Sequence, residues 1–178
     1  MDIKEVVIHP VFHHAFSSSE HPVGQYQHIG DMLGRDCMVE KFKDGWMRLY
    51  EGDGSRNEDW YTWGADVLAP FDGMVVSVYI NPVTNTPGSL TPGKASSIVF
   101  RREDGVHVTY CHVMDVCVSE GDSVRAGQIV AKAGNNGYSR IPHIHIGAWK
   151  ENTPLQIRFD LVAMGEQFRL LGEKGYLL

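Results

Sequence analysis

Between residues 67 and 134 the chain never runs far without a turn-forming Gly, Pro, Asn or Asp, and that punctuation limits the fold more than any other feature. Residues 67–80 read as strand, turn, strand, because β-prone apolar runs flank Asp72-Gly73, a dipeptide suited to a tight hairpin turn. Residues 81–94 hold three prolines and two glycines among Thr, Asn and Ser, the composition of a surface loop. Residues 97–100 and 106–113 predict a hairpin turned by Glu103-Asp104-Gly105, and residues 118–134 a series of short strands separated by glycines. Helical spacing of apolar residues shows at Leu161, Val162, Phe168 and Leu171, so residues 159–171 predict a short C-terminal helix. The fold class is therefore mainly β, a two-layer antiparallel β-sheet core with one short helix.

A chain of 178 residues with 43% hydrophobic content can bury one core, so residues 1–178 are read as a single domain. Residues 41–60 turn charged and Gly-rich, which predicts a hairpin and long loop rather than a second domain. Trp60, Tyr61 and Trp63 cluster just beyond and are read as lining a groove, with core packing as the alternative. A net charge of −6 without any Lys/Arg-rich block argues against a nucleic-acid partner. No apolar run reaches transmembrane length, and residues 1–8 lack the basic and apolar regions of a signal peptide, so the expected location is cytoplasmic. Cys37, Cys111 and Cys117 lack zinc-knuckle spacing and are read as reduced thiols packed as small hydrophobes.

The nine histidines carry the chemistry. In the pattern Pro142-His143-Ile144-His145-Ile146 the two imidazoles share one face of a strand and the isoleucines take the other, which makes half of a metal site. On the strand over residues 106–113, His112 falls on the same face as Val106, Val108 and Tyr110. His28 and Asp31 bring an imidazole and a carboxylate close together, a nitrogen and oxygen mix that zinc accepts. A regular strand turns residues i and i+3 to opposite sides, so this pair needs a bulge at Gly30; Gln27 and Asp31, at i and i+4, need none. His9, His13, His14 and His21 have no carboxylate at ligand spacing after them and are read as solvated imidazoles.

Four blocks taken together resemble the lysostaphin/LytM-type zinc metallopeptidases. They are Gly64-Ala65-Asp66-Val67-Leu68-Ala69-Pro70-Phe71-Asp72-Gly73-Met74-Val75, then Tyr110-Cys111-His112-Val113, then Glu120-Gly121-Asp122-Ser123-Val124-Arg125-Ala126-Gly127-Gln128-Ile129, and finally residues 134–139 leading into Pro142-His143-Ile144-His145. They fall in family order across residues 64–147, which the resemblance marks as the core, with residues 34–60 as an insertion. It implies a two-layer antiparallel core with a groove, and a zinc ion held by a His and an Asp of an early His-x-x-x-Asp motif plus the second His of His-x-His. Carried over, His145 is a zinc ligand, Asp31 and His28 (or Gln27, at strict spacing) supply the early pair, and His112 and His143 assist catalysis. The implied activity is metal-activated hydrolysis of peptide bonds, in a peptide or peptidoglycan-type substrate such as a cell-wall cross-link. Two rivals belong to other classes: a non-catalytic member that binds a peptide or protein in the same groove, and a biotinyl- or lipoyl-carrier hairpin over residues 121–134, whose modifiable lysine would be Lys132.

Overall fold

The computed structural model describes residues 2–172. Its N-terminal part supplies strands β1 (Lys4–Ile8), β2 (Phe16–Glu20) and β3 (Arg35–Val39), followed by a small hairpin of β4 (Lys41–Lys43) and β5 (Trp46–Arg48). Then come β6 (Asp66–Leu68), β7 (Gly73–Tyr79), β8 (Ser97–Arg101), β9 (Val106–Cys111), β10 (Val113–Met114), β11 (Ser123–Val124) and β12 (Ile129–Ala133). Strands β13 (Ile144–Lys150) and β14 (Thr153–Phe159) lead into the helix α1 (Leu161–Leu171).

The main sheet has nine strands in the order β1-β14-β13-β9-β8-β7-β11, with β3 also on β13 and β2 outside β3. A three-stranded sheet, β10-β12-β6, supplies the second layer. Val67, Val113, Val130 and Ala133 from the smaller sheet share one buried cluster with Val75, Ile98, Tyr110 and Ile144 from the larger, so a single apolar core lies between them. The chain is mainly β with one short helix, as its turn punctuation predicts. Pairing is antiparallel except where β1 runs parallel to β14.

Three differences from the sequence reading bear on the site. Residues 35–39, expected inside an insertion, form β3 and pair with β13, because Cys37 and Val39 alternate as buried residues toward the core. The strand expected to run through residue 113 breaks at His112, whose φ of 67° lies in the left-handed region and separates β9 from β10. The helix begins at Leu161 rather than at residue 159, because the Asp160 carboxylate caps it by accepting from the amides of Val162 and Ala163.

Strand β13 is covered on both faces, with residues 144–148, His145 among them, all buried. One face meets the core. The other is crossed by the segment at residues 28–34, and Gly147 makes the crossing possible: a Cβ there would lie 1.5 Å from the Gly30 carbonyl oxygen.

Candidate metal centre

The N-terminal half of β13 lies between β9 and β3, and the register sets His145 opposite Cys111 on one side and Asp36 on the other. The β2–β3 hairpin then brings in a second imidazole. Ser19 pairs with Asp36 and Glu20 with Arg35, and His21 follows directly, its amide donating to the Gly34 carbonyl at 2.8 Å. His21 Nε2 consequently stands 3.1 Å from Asp36 Oδ2, and His145 Nδ1 stands 3.0 Å from Asp36 Oδ1. Among the described residues these three side chains form a set whose donor atoms all fall within 4.8 Å of one another. The two rings stack with centroids 5.1 Å apart. Two imidazole nitrogens and a carboxylate oxygen are the donor chemistry of a zinc site.

The far nitrogen of His145 is also engaged: Nε2 donates to Asp31 Oδ1 at 2.9 Å. Burial disfavours charge on this ring, but the carboxylates of Asp31 and Asp36 outweigh it and raise its pKa to about 9. The hydrogen bond from His145 in turn holds the Asp31 carboxyl below its ordinary range.

Of the predicted early ligands, Asp31 reaches the site on the Nε2 side of His145, and His28 stays outside. The His28 side chain is 78% exposed; its Nδ1 accepts from the Gly30 amide at 3.3 Å and lies 3.6 Å from Asp31 Oδ2. His28, Asp31 and His145 therefore make a chain rather than a convergent set. Gln27 is exposed. His21, read from sequence as solvated, is instead buried against Asp36. Its partner sits 15 residues away in sequence but on the adjoining arm of a hairpin, so pairing rather than spacing was the signal. Counting back four residues from Asp36, as the early motif would require, meets Met32.

His112 and His143 stand beside this set with ring centroids 4.4 Å apart. His112 Nδ1 donates to the Asn136 carbonyl at 2.7 Å and His143 Nδ1 donates to the Ile141 carbonyl at 2.9 Å. A carbonyl can only accept, so each neutral ring carries its proton on Nδ1 and leaves Nε2 unprotonated. His143 Nε2 lies 3.6 Å from Asp36 Oδ1. Burial pushes the His112 pKa down to about 3 and lowers that of His143, so both rings are neutral at neutral pH. The unusual backbone of His112 is held by its amide donating to the Ser96 carbonyl and its carbonyl accepting from the Gly134 amide, both at 2.9 Å.

Asparagines fix the loop that supplies those carbonyls. Asn136 accepts from the Ser96 amide and donates to the Val113 carbonyl; Asn85 donates to the carbonyls of Gly137 and Ser139. Asn57, in the short helical turn Asn57–Asp59, donates to the Asn85 carbonyl and accepts from Asn135, so the segment after the β4–β5 hairpin braces the same loop. The histidines open onto a cleft of about 440 Å³ whose walls include Tyr26, Leu90 and Tyr138.

Other sequence readings resolve without touching this cleft. Trp60 packs at a tilt against Tyr50 and donates to the Gly54 carbonyl, and Tyr61 lies under Lys41, so these two rings brace the hairpin region rather than line the cleft. Lys132 lies within β12, bonded to Asp66 at 2.7 Å, and not at a hairpin tip as a carrier lysine would. All three cysteines are free thiols; Cys37 is buried, whereas Cys117 is exposed. No helix among the described residues is long and apolar enough to cross a membrane.

Residues 60–157 match the model of Peptidase family M23. That is more than half of the chain, which therefore belongs to this family. Glycyl-glycine endopeptidase ALE-1 of Staphylococcus capitis is 36% identical over 83 residues, which cover 46% of this chain and 20% of that protein. Lysostaphin of Staphylococcus simulans is 43% identical over 54 residues, covering 30% of this chain and 11% of lysostaphin. The chain thus matches a fifth or less of the length of these relatives. Among solved structures, the catalytic domain of the prophage-encoded M23 protein EnpA from Enterococcus faecalis superposes with a TM-score of 0.54 at 20% identity, over 83% of this chain and 92% of that one. That likeness shows a shared fold.

Proposed function

We propose that this M23 chain is a zinc-dependent peptidase whose metal is held by His21, Asp36 and His145. The observation that carries the reading is the convergence of His21 Nε2, the Asp36 carboxylate and His145 Nδ1 in one cleft with two further histidines whose Nδ1 atoms are bonded to carbonyls, leaving Nε2 unprotonated. A zinc ion held by these donors supplies Lewis acidity, which acidifies a water and polarises a carbonyl.

The remaining work belongs to His143 and His112. Both are neutral with Nδ1 protonated, so each offers a lone pair at Nε2. His143 is the better proton acceptor, because the Asp36 carboxylate at 3.6 Å opposes the burial that lowers its pKa. It takes a proton from the attacking water and, once charged, donates to the oxygen on which negative charge develops. His112 packs against His143 and lines the same cleft. Removing a general acid or base of this kind costs about 10²–10⁴-fold in rate.

The substrate class follows from kinship. A relative that is 36% identical over 83 residues is a glycyl-glycine endopeptidase, so the reading assigns this chain a peptide of bacterial cell wall, glycine-rich at the scissile bond. Such a substrate lies outside the cytoplasm, and fractionation of the producing cells tests that placement directly. The rival in which the groove binds without cleaving rests on a missing third donor, and His21 supplies a candidate for it.

The test is zinc content per chain together with mass-spectrometric analysis of a pentaglycine-containing peptide incubated with the protein. About one zinc and cleavage that a chelator abolishes are expected. Zinc without cleavage across a panel of wall peptides favours the binding reading, and no zinc after resupply overturns the metal centre.

A further inference from the structure

We propose that Asp31 is a positioning residue for the metal centre: its carboxylate accepts a hydrogen bond from Nε2–H of His145 and thereby presents Nδ1 to a divalent cation shared with His21 and Asp36. This rests on the reading of the site given above and adds a role that the three donors do not explain.

The two nitrogens of an imidazole point in opposite directions, so a group bonded to one cannot reach a cation on the other. Asp31 Oδ1 lies 2.9 Å from His145 Nε2, while the Nδ1 side faces Asp36 at 3.0 Å and, beyond it, His21. A carboxylate on the outer nitrogen of a ligating histidine fixes its tautomer and its ring plane, and it raises the basicity of the ligating nitrogen.

The fold holds Asp31 there by two close approaches. Residues 28–34 turn tightly, with the amides of Asp31 and Met32 both donating to the His28 carbonyl and Gly34 N donating to the Asp31 carbonyl. They cross β13 where Gly147 lets the Gly30 carbonyl come within 1.5 Å of any added Cβ. At Gly34 an added Cβ would lie 2.8 Å from His145 Cε1. The His145 ring is thus enclosed by Gly34 at its edge, Asp31 at Nε2 and the stacked His21 ring on its face.

His21 is held differently: its Nδ1 is buried and finds no hydrogen-bond partner among the described residues. The outer nitrogen of His145 is thus bonded to a carboxylate and that of His21 is not; the His21 ring stacks on His145 and lies tilted against Tyr26. Loss of Asp31 should therefore loosen the better-oriented ligand.

The experiment measures zinc affinity by competition with a chromophoric chelator for the full chain, Asp31→Asn and Asp31→Ala at one fixed pH, and records cobalt(II) absorption for each. Asp31 is half-buried, and near-UV circular dichroism checks that the fold is kept. Asp31→Ala should still take one zinc per chain, with affinity lowered about 10–100-fold and the cobalt ligand-field bands indicating an unchanged number of protein donors. Asp31→Asn should recover part of the loss, because its Oδ1 still accepts from Nε2. Unchanged affinity in Asp31→Ala, with zinc bound by the wild type, overturns this proposal and leaves the metal centre standing. Loss of stoichiometric zinc with an altered cobalt spectrum also overturns it, making Asp31 a ligand. A wild type that takes no zinc overturns both.

Discussion

Strand β13 meets the rest of the cleft along two edges, and the edges are built differently. On the β9 side, His112 and His143 come from the stretch of residues 110–145, each ring anchored through Nδ1 to a backbone carbonyl in a loop braced by Asn85 and Asn136. On the β3 side, His21 and Asp36 come from facing arms of a hairpin, and their side chains meet His145 through carboxylates. Backbone anchoring ties His143 to a carbonyl two residues away and His112 to one 24 residues on, in a loop that the asparagines hold fixed. Hairpin pairing frees the spacing, because any two residues brought opposite each other serve, whatever the length of chain between them. The M23 match spans residues 60–157 and so includes the first edge and leaves out the second.

His145 belongs to both edges, and removing it should have the largest effect. His145→Ala deletes one donor of the convergent set and the ring on which His21 stacks. The expected outcome is loss of stoichiometric zinc by elemental analysis and of all peptide cleavage. Retention of one tightly held zinc would mean that the two edges do not meet at this residue.

The next comparison separates the edges. His21→Ala and Asp36→Asn should each weaken zinc binding strongly, whereas His112→Gln should keep zinc at about one per chain and lose about 10²-fold or more in kcat. Chelator competition and steady-state kinetics on the same preparations distinguish the two classes. Equal losses of zinc from both edges would remove the distinction drawn here.

This asymmetry explains what could be read from the sequence. The turn punctuation was enough for a mainly β chain with one terminal helix, since Gly, Pro and alternating apolar residues act locally. His143 and His145 were paired by their i, i+2 spacing, whereas His112 was singled out only by the resemblance of the block around it, since alone it reads as a core histidine. His21 and Asp36 were not, since their proximity depends on the register of β2 with β3 and of β3 with β13, which no local pattern encodes. The pairing of His28 with Asp31 was sound as a neighbour relation, and the structure does bring them within 3.6 Å. What spacing could not show is that the segment crosses β13 at Gly147 and delivers Asp31 to the outer nitrogen of His145.

The β9 edge also predicts a pH dependence of folding. His112 has an unfolded pKa near 6.5 and a folded one lowered to about 3 by burial, so the unfolded chain takes up the proton first as pH falls. Stability contributed by the neutral ring is present above the unfolded value and declines as pH drops from about 6.5 toward 3, at up to about 1.4 kcal/mol per pH unit for one group. Denaturant titrations across that window should show a shallower slope for His112→Gln than for the wild type. Identical slopes would mean that the ring is not buried as neutral imidazole.

The smallest effect is expected at His28, and it tests the boundary of the second edge. Its side chain is 78% exposed and its one close polar partner is the Gly30 amide at 3.3 Å, with Asp31 beyond at 3.6 Å. An exposed pair at that separation contributes little, because solvent screens it. His28→Ala should therefore shift stability by no more than about 0.5 kcal/mol and leave zinc content and affinity unchanged. The contrast with Asp31→Ala is the informative part, since the two residues are neighbours on one turn and only Asp31 touches His145. If His28→Ala lowers zinc affinity as much as Asp31→Ala does, the outer chain from His28 through Asp31 acts as one unit, and the metal centre extends to the protein surface on that side.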